Sequence, residues 1–361
     1  ISEHIKSEQN RLIHTKKLLN EKSKDLSDSI QIEHKIIYKT LEGIKITKNT
    51  SFFFSHGIYS WGPIYDFCIT KNLNYRIYYS LPYFNNKLYI SKKNAVTGFP
   101  DIIQKNSNNK SNLEAKELIE SRLNYLSNDQ KTFKKNSTSS EYLKEKLKKE
   151  IKKYNNVISF FPNVLFDNNI SQRDSIFNGL IECINETIDN LKEENLLIIR
   201  AHPAEAVLWS KYTKLKSYIK KRKNVFFINP EEKISSYFIA KLSDLSVIYD
   251  GIMSVELSYL NLPFCVPSKS KYYFCPGNFK VSNKEEFFDL INNIKLKNIQ
   301  LSTIKNKQND VASWIQKHFI DNGITIKNLV EDGSRINFNL LLLILKPLSF
   351  LRFVDILINS K

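Results

Sequence analysis

Between residues 157 and 267 the sequence contains five short apolar runs, which are VISFFPN (157–163), LLIIRAHP (196–203), VFFINP (225–230), LSVIYD (245–250) and PFCVP (263–267). Helical patterns lie between them at 175–191, 234–242 and 254–260, and another follows at 284–294. Continuous β-branched and aromatic strands that alternate with helices predict a parallel sheet covered by helices on both faces. We therefore expect a Rossmann-like domain over this part of the chain.

A second strand–helix–strand pattern lies nearer the N-terminus. SFFFS (51–55) predicts a strand, WGP (61–63) begins a predicted helix that ends near residue 71, and YRIYYS (75–80) predicts another strand. Proline suits the first turn of a helix, because the N–H that it lacks has no intrahelical partner there. Together the two patterns predict an α/β fold with two Rossmann-like domains that face a cleft.

The predicted domain boundary lies near residue 150. A helix is predicted at 113–126, a polar stretch follows at 127–140, and a lysine-rich helix covers about 141–154. Low hydrophobicity and like charges are typical of a solvated linker. We expect an N-terminal α/β domain at 1–150, a second domain at 151–335 and an apolar segment at 336–361. The first domain is short for half of such a protein and begins without Met, which leaves its completeness open.

Glycine-rich phosphate-binding motifs are missing from the sequence. The chain has 9 glycines, and no GxGxxG or P-loop pattern follows any predicted strand. Dinucleotide binding of the Rossmann type and P-loop chemistry are therefore disfavoured. Two α/β halves without a dinucleotide motif are typical of a two-domain enzyme that uses nucleotide-sugars.

The positive charge does not by itself indicate nucleic-acid binding. The formal net charge is +17, but arginine supplies only 8 of the 54 basic residues. Lysine in place of arginine, with abundant Asn and Ile, is typical of AT-rich genomes, whereas nucleic-acid binders favour the arginine fork. A solvated lysine surface explains most of the excess, and an anionic membrane or anionic sugar is favoured over nucleic acid as a partner.

Cysteine spacing argues against a metal site and against a disulfide framework. The four cysteines stand at 68, 183, 265 and 275, without a CxxC pair or a neighbouring His pair. Buried free thiols in a reducing compartment are the simplest interpretation. We therefore expect a cytoplasmic protein without a metal or other cofactor.

Polar residues follow the predicted strands, where open α/β sheets bind their ligands. The candidates are His56, Asn163, Asp167, Arg200, His202, Glu205, Asp250, Gly251, Ser254 and Glu256.

The RAHPAE segment (200–205) combines a cation, an imidazole and a carboxylate within six residues. Arg200 and His202 can donate to a diphosphate or a sugar hydroxyl, and Glu205 can accept from hydroxyls. A structural interpretation remains open, in which Arg200 pairs with a neighbouring acid and His202 caps a helix.

The segment DGIMSVE (250–256) joins a strand end to a predicted helix start near Ser254. The free N–H groups of a helix start suit a phosphate, and Glu256 could accept the two hydroxyls of a ribose. Glu256 could equally be an acid that stabilises the first turn.

Candidate bases lie in the first half of the chain. His56 follows a predicted strand and would face the cleft, where it or Asp66 could deprotonate an acceptor hydroxyl. A structural histidine fits the position of His56 equally well.

Taken together, these segments resemble the capsule polysaccharide biosynthesis family, whose members are glycosyltransferases of the GT-B fold that include Kdo transferases. The similarity covers about 157–292 well and 51–80 loosely, through NVISFFPNVLFDNN (156–169), LLIIRAHPAE (196–205), Ile234-Ser235-Ser236-Tyr237, VIYDGIMSVELSYLNLPFCV (247–266), KYYFCPGNFKVSNKEEFFDLI (271–291) and SHGIYSWGPIYDFC (55–68).

The resemblance implies a metal-independent glycosyltransferase that uses a CMP- or UDP-linked sugar and a surface glycan or lipid-linked glycan as acceptor. It places the donor at His202, Glu205, Ser254 and Glu256, near Ser236 and Tyr237. Where relatives show a Ser/Thr pair and a Gly before the Glu, this chain has Gly251-Ile252 and then Ser254. A sugar-nucleotide 2-epimerase of the same fold and a non-catalytic carbohydrate-assembly protein are the alternatives.

The most apolar stretch of the sequence is INFNLLLLILKPLSFLRFVDILI (336–358). Lys346-Pro347 divides it into two pieces that are each too short to span a bilayer. One interpretation is a core helix that crosses back to the first domain. The other is peripheral contact with the inner face of the cytoplasmic membrane, aided by Lys346 and Arg352.

Overall fold

The computed structural model describes the chain in segments. They are residues 23–44, 46–47, 50–55, 62–81, 84–91, 113, 115–121, 123, 138–163, 175–203, 205, 215–267, 271–297, 308–316 and 323–325.

The helices are α1 (Ser23–Glu42), α2 (Gly62–Thr70), α3 (Thr138–Ile151), α4 (Leu180–Asn190), α5 (Ser236–Leu242), α6 (Met253–Tyr259), α7 (Lys284–Asn293) and α8 (Gln308–Ile315), with short 3-10 turns at Leu215–Tyr218, Lys271–Phe274 and Ile294–Lys297. The strands are β1 (Ser51–Ser55), β2 (Asn74–Leu81), β3 (Phe84–Ser91), β4 (Asn156–Phe161), β5 (Asn195–Arg200), β6 (Val225–Ile228), β7 (Leu245–Ile248), β8 (Phe264–Cys265) and β9 (Gly323–Thr325).

Five strands form a parallel sheet in the order β6-β5-β4-β7-β8. All four neighbouring pairs are parallel. The central strands β4 and β5 are buried along their whole length, which is why they read as continuous apolar runs. The Rossmann-like domain predicted from the sequence is confirmed.

Successive side chains of β4 face opposite helical layers. Val157 and Phe161 pack with α5, α6 and α8, whereas Ile158 and Phe160 pack with α4 and α7. This alternation follows from the two-residue period of a strand. The result is a three-layer arrangement with one hydrophobic core on each side of the sheet.

A smaller sheet lies in the N-terminal part of the chain, with strand order β1-β2-β3-β9. The predicted strand–helix–strand unit forms its start, since β1 and β2 are parallel and α2 connects them. The other two pairs are antiparallel, and β9 comes from residues 323–325. The α/β class predicted for the chain, with two sheets, is thereby confirmed.

The lysine-rich helix α3 packs on the second sheet. Its Leu147 is fully buried in the same core as Val157, next to Ala115 and Ile119 of the helical residues 115–121. The polar residues 141–154 therefore include one face that belongs to a core. The boundary near residue 150 stays a prediction.

All four cysteines are buried free thiols, as predicted from their spacing. Within the described segments, no helix combines the length and apolar character that a membrane crossing requires. The apolar residues 336–361 lie outside those segments.

Candidate functional site

The second sheet changes direction between β4 and β7. From β4 the chain adds β5 and β6 on one side, then returns to the other side of β4 to add β7 and β8. Ligands of open α/β sheets bind at the carboxyl ends of the strands that flank such a reversal. Asn163 follows β4, and Asp250 and Gly251 follow β7. The topology therefore brings three predicted donor residues to this position.

Gly251 and Asn163 are neighbours in space. A Cβ atom built on Gly251 would lie 3.8 Å from Asn163 Oδ1 and 3.9 Å from Ile248 Cγ2. Both are ordinary van der Waals distances, so an alanine fits here. A larger side chain would extend into the space beyond the two strands.

A tyrosine–glutamate hydrogen bond joins two more of the predicted residues. The Tyr237 hydroxyl, near the start of α5, donates to Glu256 Oε2 in the first turn of α6 at 2.6 Å. The Glu256 side chain is 2% exposed. A buried carboxylate needs such donors to offset the loss of hydration. Ser236 directly precedes this tyrosine and is half-buried.

Ser254 stabilises the turn that precedes Glu256. Its Oγ donates to Gly251 O at 2.7 Å, and its amide donates to the same carbonyl at 3.1 Å. The residue is fully buried, and its hydroxyl hydrogen is directed to the backbone. The helix that contains it, α6, has seven residues and begins at Met253.

Arg200 ends β5 and binds the loop that follows β6. One terminal nitrogen donates to Asn229 O, and the other donates to Glu232 O at 2.9 Å. Burial lowers the pKa of its guanidinium to about 10, while Glu232 and Glu231 act in the opposite direction. The structure thus gives Arg200 backbone partners in the loop that leads to α5. Its Nε has no hydrogen-bond partner among the described residues.

His202 and Glu205 share one turn beyond β5. The Glu205 amide donates to His202 O at 3.0 Å. The His202 side chain is exposed, whereas Glu205 is 3% exposed. The imidazole is therefore exposed on the same turn that carries the buried Glu205.

The candidate bases belong to the N-terminal part of the chain. Asp66 lies within α2 and is half-buried. Burial raises the pKa of its neighbour Tyr65 to about 12, with further contributions from Tyr75 and Asp66. His56 and Asp167 fall outside the described residues.

Three residues around the site were not singled out from the sequence. Asn229 and Glu232 accept hydrogen bonds from Arg200 through their carbonyl oxygens. Tyr249, which precedes Asp250 in the sequence, is fully buried. Burial raises the pKa of Tyr249 well above its ordinary value. An arginine at the end of an apolar strand is the signal that could have indicated buried carbonyl partners.

No group of three or more His, Cys, Asp or Glu side chains in the described segments could hold a metal ion.

No model of a known protein family and no curated protein matches this sequence. Among solved structures, the chain is similar to a Listeria monocytogenes protein assigned as a UDP-N-acetylglucosamine 2-epimerase, with 15% identity, 46% of either chain covered and a TM-score of 0.29. It is also similar to the wall teichoic acid polymerase TagF, solved with CDPG, with 14% identity, 55% of this chain covered and a TM-score of 0.30. The chain spans 46% and 48% of these two structures. Likenesses of this size carry no argument about activity, which rests on the residues themselves.

Proposed function

We propose that the chain is a metal-independent glycosyltransferase of the GT-B type. It takes a sugar from a CMP- or UDP-linked donor and transfers it to a surface or capsular polysaccharide. The observation that carries this proposal is the buried Glu256 carboxylate, held by Tyr237 beside the strand reversal. A carboxylate fixed there suits the paired hydroxyls of a ribose, since it can accept two hydrogen bonds from neighbouring donors.

In the proposed donor site, each residue has a distinct task. Glu256 accepts from the ribose, and Asn163, Asp250 and Gly251 border the sugar and phosphate groups. His202 donates to the nucleotide phosphate, next to the buried Glu205. Arg200 and Ser254 hold the two loops in place through their backbone partners.

In the proposed reaction, the oxygen of an acceptor hydroxyl attacks the anomeric carbon of the donor sugar. The bond between that carbon and the phosphate oxygen breaks, and the nucleotide leaves with its electron pair. Donors aimed at the leaving phosphate stabilise its negative charge. His56 or Asp66 of the first unit takes the acceptor proton.

The donor site can be tested by thermal stabilisation with CMP, CDP, UMP, UDP, GDP and ADP. A nucleotide at 100 times its dissociation constant adds about 2.7 kcal/mol, which gives a clear shift. We expect selective stabilisation by a cytidine or uridine nucleotide, lost in Glu256→Gln and His202→Ala. No response to any of the six would contradict the donor site.

A matched pair at position 251 tests where the nucleotide binds. Gly251→Ala places a Cβ at ordinary contact distances and should keep the stabilisation. Gly251→Val adds two methyl groups beyond the ends of β4 and β7 and should abolish it. Equal thermal stabilisation of the two variants by nucleotide would mean that the nucleotide does not bind next to Gly251.

Product analysis separates the alternative activities. With donor but without acceptor, a 2-epimerase changes the sugar, whereas a glycosyltransferase leaves it unchanged apart from slow hydrolysis. A non-catalytic assembly protein predicts that His202→Ala leaves polysaccharide production intact in cells. Loss of production with a folded variant would exclude that role.

A further inference from the structure

Positive charge is concentrated at the β6 edge of the second sheet. The segment 138–154, which contains α3, has six lysines and three glutamates, and residues 215–223 have four lysines, one arginine and no acid. The two segments meet at this edge. Lys146 Nζ lies 5.7 Å from the centre of the Phe226 ring in β6, and the Tyr154 hydroxyl is 3.5 Å from Lys223 O. We call this surface the basic edge.

The helices α4 and α7, which cover the face of the sheet opposite α3, have the opposite charge. Residues 215–223 pack against α4, where Lys220 pairs with Asp189 at 2.5 Å. α4 carries Glu182, Glu186 and Asp189 without a basic residue, and α7 carries one lysine against three acids. That lysine, Lys284, is bound to Glu182 and Glu186 at 2.7 and 2.8 Å. A genome-wide preference for lysine would not separate the charges in this way. The basic edge therefore needs an explanation beyond composition.

Much of the charge on the basic edge is uncompensated. Within the described part of the chain, no ion pair is formed by five of its exposed lysines, which are Lys146, Lys149, Lys152, Lys221 and Lys223. On α3, the Tyr142 side chain is 70% exposed. Positions 142, 146 and 149 are four and three residues apart, so they form one stripe on α3.

The side chains available here suit lipid headgroups better than nucleic acid. The single arginine of this surface is Arg222, whose guanidinium donates to Ile188 O and Leu191 O, both at 2.6 Å. These bonds compete with the bidentate contacts that an arginine makes to phosphates or bases. Lysine ammonium groups cover the rings of Phe226, Phe227 and Phe238, which removes stacking surfaces for bases. Lysines act as point charges, and an exposed tyrosine is typical of a membrane interface.

We propose that the basic edge, formed by the outer face of α3 and residues 215–223, docks the protein on a bilayer that contains anionic lipid. The attraction is electrostatic, with Tyr142 at the level of the headgroups. Lys152, Lys221 and Lys223 precede β4 and β6, whereas the candidate donor site follows the strands. These three lysines are therefore separate from the candidate donor site. The proposal is independent of the donor site and of residues 336–358.

Vesicle co-sedimentation tests the proposal on the full chain. Phosphatidylcholine vesicles with about one third phosphatidylglycerol should bind the protein at low salt, and pure phosphatidylcholine should not. Raising the salt should weaken binding, because the Debye length shortens to about 8 Å at physiological ionic strength. Absence of binding to the anionic vesicles at low salt would overturn the proposal.

A pair of triple variants locates the contact. Lys149→Gln, Lys152→Gln and Lys221→Gln together should weaken vesicle partitioning by about 100-fold, from about 1 kcal/mol per lysine. The control replaces Lys35 and Lys39 of α1 and Lys71, which directly follows α2, by Gln. It changes the net charge by the same amount and should stay within about threefold of the parent. Equal loss in both variants would overturn the assignment of the surface.

A competition experiment separates lipid from soluble polyanions. Polyphosphate and a DNA duplex are added to the protein in the absence of vesicles. We expect weak binding of both polymers, and we expect it to decrease by the same factor in the basic-edge variant and in the control variant. Tight binding to either polymer, lost only in the basic-edge variant, would replace the lipid with that polymer as the partner.

Discussion

The contact between Tyr237 and Glu256 shows how one side chain can prepare another for binding. One oxygen of the Glu256 carboxylate accepts from the tyrosine at 2.6 Å, and the side chain is 2% exposed. Without such a donor, the cost of removing a carboxylate from water would favour another rotamer or another turn. The hydrogen bond therefore fixes the direction in which the carboxylate faces.

Tyr237→Phe should destabilise the protein by about 1.5–3 kcal/mol, because a hydrogen bond to a charged group is lost. The nucleotide response should fall with it, since Glu256 loses its orientation. Urea unfolding and nucleotide titration measure the two effects.

The matched control for that variant is Tyr154→Phe. Its hydroxyl is 3.5 Å from Lys223 O, at the limit of a hydrogen bond, so its loss should change stability by less than about 0.5 kcal/mol. An unchanged nucleotide response in Tyr237→Phe would remove this tyrosine from the proposed site.

Arg200→Met should cost about 2–3 kcal/mol, because the carbonyls of Asn229 and Glu232 lose their donor. The loop before α5 loses its attachment to β5, so nucleotide binding should weaken as well. Unfolding in urea and nucleotide titration again report both quantities.

Arg222→Met is the comparison that isolates the effect of position. Arg222 also donates to two carbonyls, those of Ile188 and Leu191, but it precedes β6 instead of following a strand. It should lose similar stability and keep its affinity for nucleotide. If both variants bind nucleotide equally well, Arg200 acts on the fold alone.

At the scale of elements, asparagine side chains join the strands at their amino ends. Asn156 Nδ2 donates to Asn195 Oδ1 at 2.8 Å, and Asn195 Nδ2 donates to Asn292 Oδ1 at 3.2 Å. Asn224 Nδ2 donates to Asn195 O at 2.8 Å. These contacts connect β4, β5, α7 and the start of β6 at the edge opposite the candidate site.

Asn195→Ala should destabilise the protein by about 2–3 kcal/mol, since it removes the hydrogen bonds of the Asn195 side chain to Asn156 and Asn292, at about 1 kcal/mol each. Asn190→Ala is a suitable control. Asn190 is exposed, and among the described residues its side chain donates to Glu186 O at 2.9 Å, so a loss of about 0.5 kcal/mol or less is expected. Chemical denaturation compares the two, and equal losses would mean that the buried network adds nothing.

The order of strands and helices in the second unit could be predicted from the sequence, but some boundaries could not. A helix was predicted from residue 175, yet α4 begins at Leu180. Phe177 is instead buried edge-to-face against Phe287, with ring centres 5.3 Å apart. That contact joins residues that are 110 positions apart in the sequence, so the local hydrophobic pattern around residue 177 could not predict it.

The same distinction applies to the site. Strand ends and the resemblance predicted Asn163, Gly251, Tyr237 and Glu256, and the structure brings them together in two pairs. The position of Arg200 at the end of an apolar strand could have indicated buried carbonyl partners, but not which ones, because every backbone carbonyl has the same chemistry. Strands β3 and β9 were also missed. β9 has three residues and so no periodic pattern of its own, and β3 has Asn85 and Asn86 near its start, a residue type that is depleted in strands.

For the molecule as a whole, buried thiols and phenols should make the fold sensitive to alkali. Burial raises the pKa of Cys68 from 9.0 to about 12, and those of Cys183, Cys265 and Cys275 further. The pKa of Tyr259 is raised to about 12 by burial and by its bond to Glu120. Above pH 9 the unfolded chain releases these protons and the folded chain keeps them, so stability falls as pH rises from 9 towards 12.

Urea unfolding at about pH 7.5 and about pH 10 should show this loss, with a slope of about 1.4 kcal/mol per pH unit for each ionising thiol. Cys265→Ala removes one fully buried thiol and should reduce the difference between the two pH values, whatever it costs at either one. Equal stability at both pH values would contradict the burial of the thiols.

The pairing of β9 with β3 sets an order of events during synthesis. Residues 84–91 leave the ribosome long before residues 323–325, which pair with them. At about 5–20 residues per second, the edge of β3 lacks this partner for roughly 10 to 50 seconds. The second sheet, by contrast, is contained within residues 156–265 and can form in the meantime. A nascent chain that stops before residue 323 would keep an open strand edge, which invites pairing with other chains and makes such fragments prone to aggregate.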